Sequence, residues 1–483
     1  MTQIGPGLEI SRSPYDTAWV ARLAELDIAM GQQALDWLRG NQLSDGSWGS
    51  VEPKYAHERV ICTLAAMTTL AARGASCDQV ALQCAKNALE DLSRELSSDP
   101  AGETIGFEMI VPSLLDEAKE LGLINSSLDK SLGHLAQYRA AKLAALPDRV
   151  IDRTVTVAFS AEMVGLDGLH LLDLERLREA NGSVAYSPAA TSFFAYHVQP
   201  GDPAALDYLS TVIDGGSVPY IAPIEIFEIA WTLWNLELAG LLDAETMALC
   251  QPHLDAMEVE WQAGRGSSAC AGLTLAESDT TSMVYKVMHR LGRPVDLEGI
   301  LNYEEDKHFR CFSLEANPSL SANIHVLDAL RCAGLGPENP AVRKVLDFLQ
   351  RTQTLQMIWF DKWHASPYYP TTHAVIACCG MVNDLVKDSV YWIIATQRPN
   401  GAWGHYGPTA EETAYCLQAL VVWKRCGGEV PDTVLMRGAT WLAHHMEPPY
   451  PSLWIGKCLY CPTLVTRSTI LSALLMVESE IGG

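Results

Sequence analysis

The stretch LAESDTTSMVYKV, residues 275–287, sets two carboxyls, Glu277 and Asp279, two positions apart, with Thr280 and Thr281 behind them and apolar residues on both sides. Within a continuous helix such a pair points in different directions, whereas at a helix start both members can face one cavity. Asp and Thr are favoured cap residues, so SDTTS before MVYKVMHRL reads as a helix N-terminus. A second reading carries chemistry. Burial and a neighbouring negative charge each raise a carboxyl pKa, so one of two adjacent acids can remain a proton donor at neutral pH.

The elements that must position such a pair are helical. RVICTLAAMTTLAARGA, VPSLLDEAKELGL, IFEIAWTLWNLELAGLL and EETAYCLQALVVWKRC repeat apolar residues at spacings of three and four, the pattern of amphipathic or buried helices. Short loops such as LSDGS, DGGSVP, GPENP and QRPNG separate them. The fold class expected is all-α. NQLSDGSWG at 41–49 and TQRPNGAWG at 396–404 both place Gln six residues before Trp with Gly between, a local unit repeated near each end of the chain. A Gln at a helix end can satisfy backbone groups of the next turn while the Trp packs beside it. The weaker relative LREANGSVAYS at 177–187 extends this to an α-α barrel of helical hairpins, and the turn-rich Pro200–Pro219 region is the candidate boundary.

A chain of 483 residues with a formal charge of −24 repels nucleic acid and anionic lipid, so an anionic substrate needs a local basic pocket. The first residues lack a basic segment followed by an apolar one, and no run reaches the ~18 apolar residues of a membrane span. A cytoplasmic protein without stable membrane insertion is expected. Thirteen cysteines in apolar segments suit reduced, buried thiols, and Cys458 and Cys461 read as small core residues in preference to a zinc site.

ESDTT resembles the DxDD or DxDTT motif of class II terpene cyclases, in which the second acid protonates a terminal alkene; here that acid is Asp279. SPYDTAWVARL at 13–23, IGFEMIVPSLLDEA, VPYIAPIEIFEIAW, DKWHASPYYPTTHAV and LWIGKCLY resemble further family segments, in family order. The likeness is to bacterial diterpene cyclases of the halimadienyl (tuberculosinyl) diphosphate synthase type. One position departs: Glu277 stands where the family usually has Asp.

The resemblance implies two α-barrel domains: an N-terminal element of the β domain at 1–25, an inserted γ domain at 26–205 and the remaining β domain at 206–483. It implies that Asp279 is the acid, with Glu277 and Thr280 beside it. Asn323 and His325 are candidates to stabilise its carboxylate and return a proton, a satisfied Asn in a helix interior being the alternative. A tertiary carbocation must be shielded without a nucleophile, which aromatic faces can do. Trp231, Trp359, Phe360, Trp363, Tyr368 and Tyr369 are candidates, core packing being the alternative for each. Lys457, with Arg176 or Arg178, would bind the prenyl diphosphate. Mg²⁺ would be held near SSDPAGETIGFE, by Glu103 and Glu108 or by Asp99. Tyr220 falls where copalyl-forming relatives place an Asn that helps remove the last proton, which implies a rearranged halimadane or clerodane (kolavenyl) skeleton from geranylgeranyl diphosphate. A copalyl or drimenyl product, a triterpene cyclase and a non-catalytic prenyl-binding barrel are the alternatives. Because the diphosphate is retained, a downstream terpene synthase or methyltransferase is the expected consumer of the product.

Overall fold

The computed structural model describes residues 10–482 except 27, 125–127, 129–131, 314 and 316. Among these the regular secondary structure is almost wholly helical. Its one sheet is a two-stranded antiparallel hairpin that pairs Trp454 with Tyr460 and Ile455 with Leu459. Helix starts follow local chemistry. Ser13, Ser187, Asp202 and Asn339 cap helices that have Pro in their first turn, and Thr409 accepts from the Glu412 N–H, each satisfying an orphan donor of the first turn.

Two hydrophobic cores organise these helices. In the second, Glu225–Leu238, Ser278–Arg290, Leu320–Cys332, Tyr368–Cys378, Ala410–Arg425 and Thr463–Ile481 pack in sequence, and the last returns to the first, closing an inner ring. Ala244–Glu260, Pro340–Thr352, Asn383–Ala395 and Asp432–Ala443 pack outside it. Inner helices such as Tyr368–Cys378 are buried along their whole length, as their all-round apolar composition requires. The first core closes a smaller ring from Pro14–Arg22, Ala56–Ala72, Phe107–Glu120, the 3-10 segment Thr156–Val164 and Pro188–Phe193.

Two boundaries differ from expectation. The N-terminal element was assigned to the second body, but only Ile10 packs there; helix Pro14–Arg22 buries Tyr15, Ala18 and Trp19 as an inner member of the first ring. Residues 1–9 of that element lie outside the described residues. The first body also runs past 205, because the helix capped by Asp202 buries Ala205, Tyr208, Leu209 and Val212 in the first core.

The Gln–Trp unit occurs three times with one hydrogen-bond pattern. The indole N–H of Trp48, Trp359 and Trp403 donates to the carbonyl ten residues upstream, at Leu38, Leu349 and Ile393 (2.8, 2.9 and 2.6 Å). Gln42, Gln353 and Gln397 donate to the carbonyl four residues on and to one in the second helix downstream, at Ala81, Leu385 and Val434. Thr63, Thr371 and Thr413 accept from the Trp backbone N–H. Each unit therefore ties the end of one helix to the next two, using carbonyls that the last helical turn leaves free.

Trp403→Phe keeps most of the buried ring and removes the donor, so it should lower unfolding free energy by about 1 kcal/mol, read from the denaturant midpoint; an unchanged midpoint would remove the indole bond from the account of how the hairpins are joined.

Candidate active site

Between the two cores lies a cavity lined by residues of both. The first body contributes Ile105, Thr156, Phe159, Ser160 and Ala185; the second contributes Ile224, Phe227, Phe312, Trp363, Trp454 and Tyr460 among others. Tyr220 stands in the wall between them. Among the described residues, the charged side chains that line it are Glu277 and Asp279 alone.

The helix Ser278–Arg290 delivers both carboxyls, and both readings of ESDTT apply, at different residues. Glu277 is extended and caps the helix: its Oε1 accepts from the Thr280 N–H at 2.8 Å and its Oε2 from the Asp279 N–H at 2.5 Å. The Cys311 thiol adds a contact to Oε2 at 3.4 Å. The longer arm of Glu lets both oxygens turn back onto the helix end. Burial, and then the charge of Asp279, push the Glu277 pKa up to about 7. Thr281 is structural: its hydroxyl accepts from Ser267 N–H and donates to Ser267 C=O.

Asp279 stays free of the cap, and its side chain is 17% exposed, toward the cavity it lines. Its Oδ1 lies 2.5 Å from His325 Nδ1, and His325 Nε2 lies 3.0 Å from His373 Nδ1. The edge of His325 meets Trp231 at 5.5 Å.

Of the expected site residues, Asp279, Glu277, Thr280, Tyr220 and Trp363 line the cavity. Trp363 faces Phe312 at 6.1 Å, and its indole N–H has no hydrogen-bond partner among the described residues. Tyr220 tilts onto Tyr460 at 4.4 Å, and burial raises both phenols above the usual tyrosine range.

The others sit elsewhere. Asn323 was expected beside the acid; it is fully buried and its amide is spent on the backbone of Phe309 and Ser319. Trp359 is the indole of the second Gln–Trp unit and not a wall residue. Tyr369 lies one layer behind the wall, 4.8 Å from Trp454, and accepts from the Trp231 indole. Arg176 is 59% exposed and paired with Asp152 at 2.7 Å, and Arg178 pairs with Asp202.

Lys457 differs most from expectation. It is 0% exposed, and its ammonium donates to Glu162 at 2.6 Å and Ser187 at 2.8 Å, with the Phe159 ring 4.5 Å away. Both partners belong to the first body, so Lys457 is an ion-pair tie between bodies and not a cavity-facing anchor. Glu162 is so deeply buried that only a cation at close range compensates its charge.

Asp99 is consumed as an acceptor of the Ala56 and His57 N–H groups and of the His57 ring. Glu108 pairs with Lys142 at 2.6 Å. Glu103, two residues from the lining Ile105, has its pKa raised by desolvation and then by the charge of Glu108. Among the described residues neither Glu103 nor Glu108 belongs to a cluster of three or more ligating side chains, so these two acids do not by themselves form a metal centre.

Sequence reasoning missed Phe159, Phe227, Phe312, Trp454, Tyr460 and His373. Trp454 and Tyr460 are the first and last residues of the WIGKCLY segment, where the lysine drew the assignment. His373 stands four residues after Tyr369, and that spacing places both on one helix face.

Comparison with known proteins follows this geometry. The family described as Squalene-hopene cyclase C-terminal domain matches residues 313–448. The chain is 43% identical to the Type B diterpene cyclase of Mycobacterium tuberculosis, over 98% of this chain and 97% of that protein. It is 29% identical to an ent-copalyl diphosphate synthase of a Streptomyces species, over 96% and 92%. Among solved structures, the ent-copalyl diphosphate synthase from Streptomyces platensis aligns with a TM-score of 0.80 at 30% identity, over 98% of this chain and 96% of that one.

Lys457→Met removes one partner of the buried pair and should cost about 3–5 kcal/mol of stability, measured by denaturant unfolding without substrate. A diphosphate-binding lysine would instead leave unfolding unchanged and raise KM.

Proposed function

Because the chain belongs to the bacterial class II diterpene cyclases, intramolecular lyases or isomerases by reaction type, we propose that Asp279 protonates the terminal alkene of geranylgeranyl diphosphate and starts a bicyclisation that leaves the diphosphate in place. The observation that carries this reading is the Asp279 carboxyl, free of the helix cap, bonded to His325 and set in the wall of an aromatic cavity.

Glu277 spends both carboxylate oxygens on backbone N–H groups of the helix start, whereas Asp279 is free of the cap and faces the cavity, so the transferred proton is assigned to Asp279. Once it has passed to the alkene carbon, the carboxylate accepts from the His325 ring, which limits back-transfer. The cation then lies among Phe227, Trp454, Tyr460 and Phe159, where each well-placed ring face contributes about 0.5–2 kcal/mol.

Tyr220 and Tyr460 bear on how the reaction ends. Their raised pKa values keep both phenols protonated, so neither serves as an early base. A cation that persists undergoes hydride and methyl shifts, which favours a halimadane or clerodane skeleton over copalyl. The 43% identity to a protein named a Type B diterpene cyclase supports the C20 substrate. Glu103 and Glu108 would hold Mg²⁺ together with diphosphate oxygens, and the ion would neutralise the charge of the retained diphosphate.

Two outcomes are expected. Asp279→Asn should lose about 10²-fold or more in kcat at every pH. An active Asn variant would remove Asp279 from this role. Incubation with each prenyl diphosphate and Mg²⁺, then phosphatase and NMR of the alcohol, should give a rearranged C20 bicycle. An unrearranged copalol skeleton would favour the copalyl reading, and turnover with the C15 substrate alone would overturn the substrate assignment.

A further inference from the structure

Behind Asp279 two imidazoles form a chain whose direction the cyclisation reading leaves open. His325 Nδ1 lies 2.5 Å from Asp279 Oδ1, and His325 Nε2 lies 3.0 Å from His373 Nδ1. Both rings are buried, at 2% and 3% exposure. At the far end, His373 Nε2 has no hydrogen-bond partner among the described residues, and the ring stacks on Trp234 at 4.9 Å. Burial first, then the charges of His325, His364 and Lys286, hold the His373 pKa well below the ordinary histidine value. The ring is therefore neutral and carries one proton.

The unpartnered nitrogen decides where that proton sits. A buried N–H without an acceptor costs about 1–3 kcal/mol, and orphaned donors are rarer than under-satisfied acceptors. A proton on Nε2 would create such an orphan. On Nδ1 it finds His325 Nε2 as acceptor, which leaves only a lone pair against the apolar surroundings. A His325 Nε2 that accepts bears no proton, so the His325 proton is on Nδ1, where it donates to Asp279 Oδ1. The far end thus sets the direction of every bond in the chain.

We propose that His373 is a positioning residue for the catalytic acid: its Nδ1–H holds His325 in the Nδ1–H tautomer, so that Asp279 Oδ1 accepts and the acid's own proton is kept on Oδ2. The reverse direction would place that proton on Oδ1, donating to His325 instead of to substrate. After transfer, the same His325 N–H stabilises the new carboxylate without moving. The proposal rests on the reading of Asp279 as the acid.

The test uses two variants and a spectrum. His373→Asn keeps a donor near the Nδ1 position, and His373→Phe keeps a ring without one. In the full-length protein labelled with ¹⁵N-histidine, long-range ¹H–¹⁵N correlation reads the His325 tautomer, assigned by the signals lost in His325→Ala. The parent and the Asn variant should show Nδ1–H, and the Phe variant should gain Nε2–H. The Phe variant should lose about tenfold or more in kcat with KM nearly unchanged, and the Asn variant should recover most of it. An Nε2–H tautomer in the parent overturns the proposal even if no variant folds. An unchanged tautomer in the Phe variant overturns it too. A changed tautomer with unchanged turnover would leave the bond direction standing and count against Asp279 as the acid, which separates the two claims.

Discussion

A carboxyl buried at a helix start is the constraint on which this site depends. Burial disfavours a charge on Glu277 and pushes its pKa up to about 7, while two backbone N–H groups and the positive end of the helix offset part of that cost. The residue that caps the helix also holds the backbone N–H of Asp279, so a single helix start fixes the distance between the two carboxyls and leaves Asp279 facing the cavity.

The wall opposite the acid depends on the two bodies staying in register, and the hairpin 454–460 does much of that. Trp454, Ile455 and Tyr460 face the cavity. The hairpin backbone bonds both bodies, since Ile455 N–H donates to Trp363 C=O of the second and Gly456 C=O accepts from Ile105 N–H of the first. Lys457 adds its buried pair to Glu162. Gly456 is required for space: a Cβ there would lie 2.5 Å from the Tyr220 ring. The WIGK segment is thus constrained at each position by what it touches, with no need for its lysine to meet substrate.

The helices and the helix start that carries the carboxyl pair were legible because they rest on local signals, spacing and capping. The second Gln–Trp unit escaped because its marker is missing. Gly46 and Gly401 take left-handed backbone four residues after Gln, at φ of 88° and 96°, and in the unit at 353–359 Met357 holds the same place at φ 62°. A search that required Gly there passes over it, and Trp359 was then assigned to the wall by its aromatic type alone. The partners of Lys457, Asn323 and His373 were not legible, for another reason. What each side chain does depends on partners between 14 and 295 residues away, and a single sequence does not say whether a buried carboxylate or a cavity waits at the end of a lysine.

With Asp279 as the proposed acid, proton delivery and product choice would occupy different parts of this molecule. Asp279, the capping Glu277 and the two histidines all belong to the second barrel, on its inner helices or at their starts. The cavity wall that would meet a cation is drawn from both bodies, with Tyr220 at their junction wedged between Tyr460, Phe159 and the bare backbone of Gly456. A substitution in that wall can change where a cation rests or loses its proton while the carboxyl pair is untouched. Proteins named for different products, such as the Type B diterpene cyclase at 43% identity and the copalyl diphosphate synthase at 29%, can therefore share one way of starting a reaction. On this argument, likeness over the whole chain says more about the acid than about the skeleton that leaves the cavity.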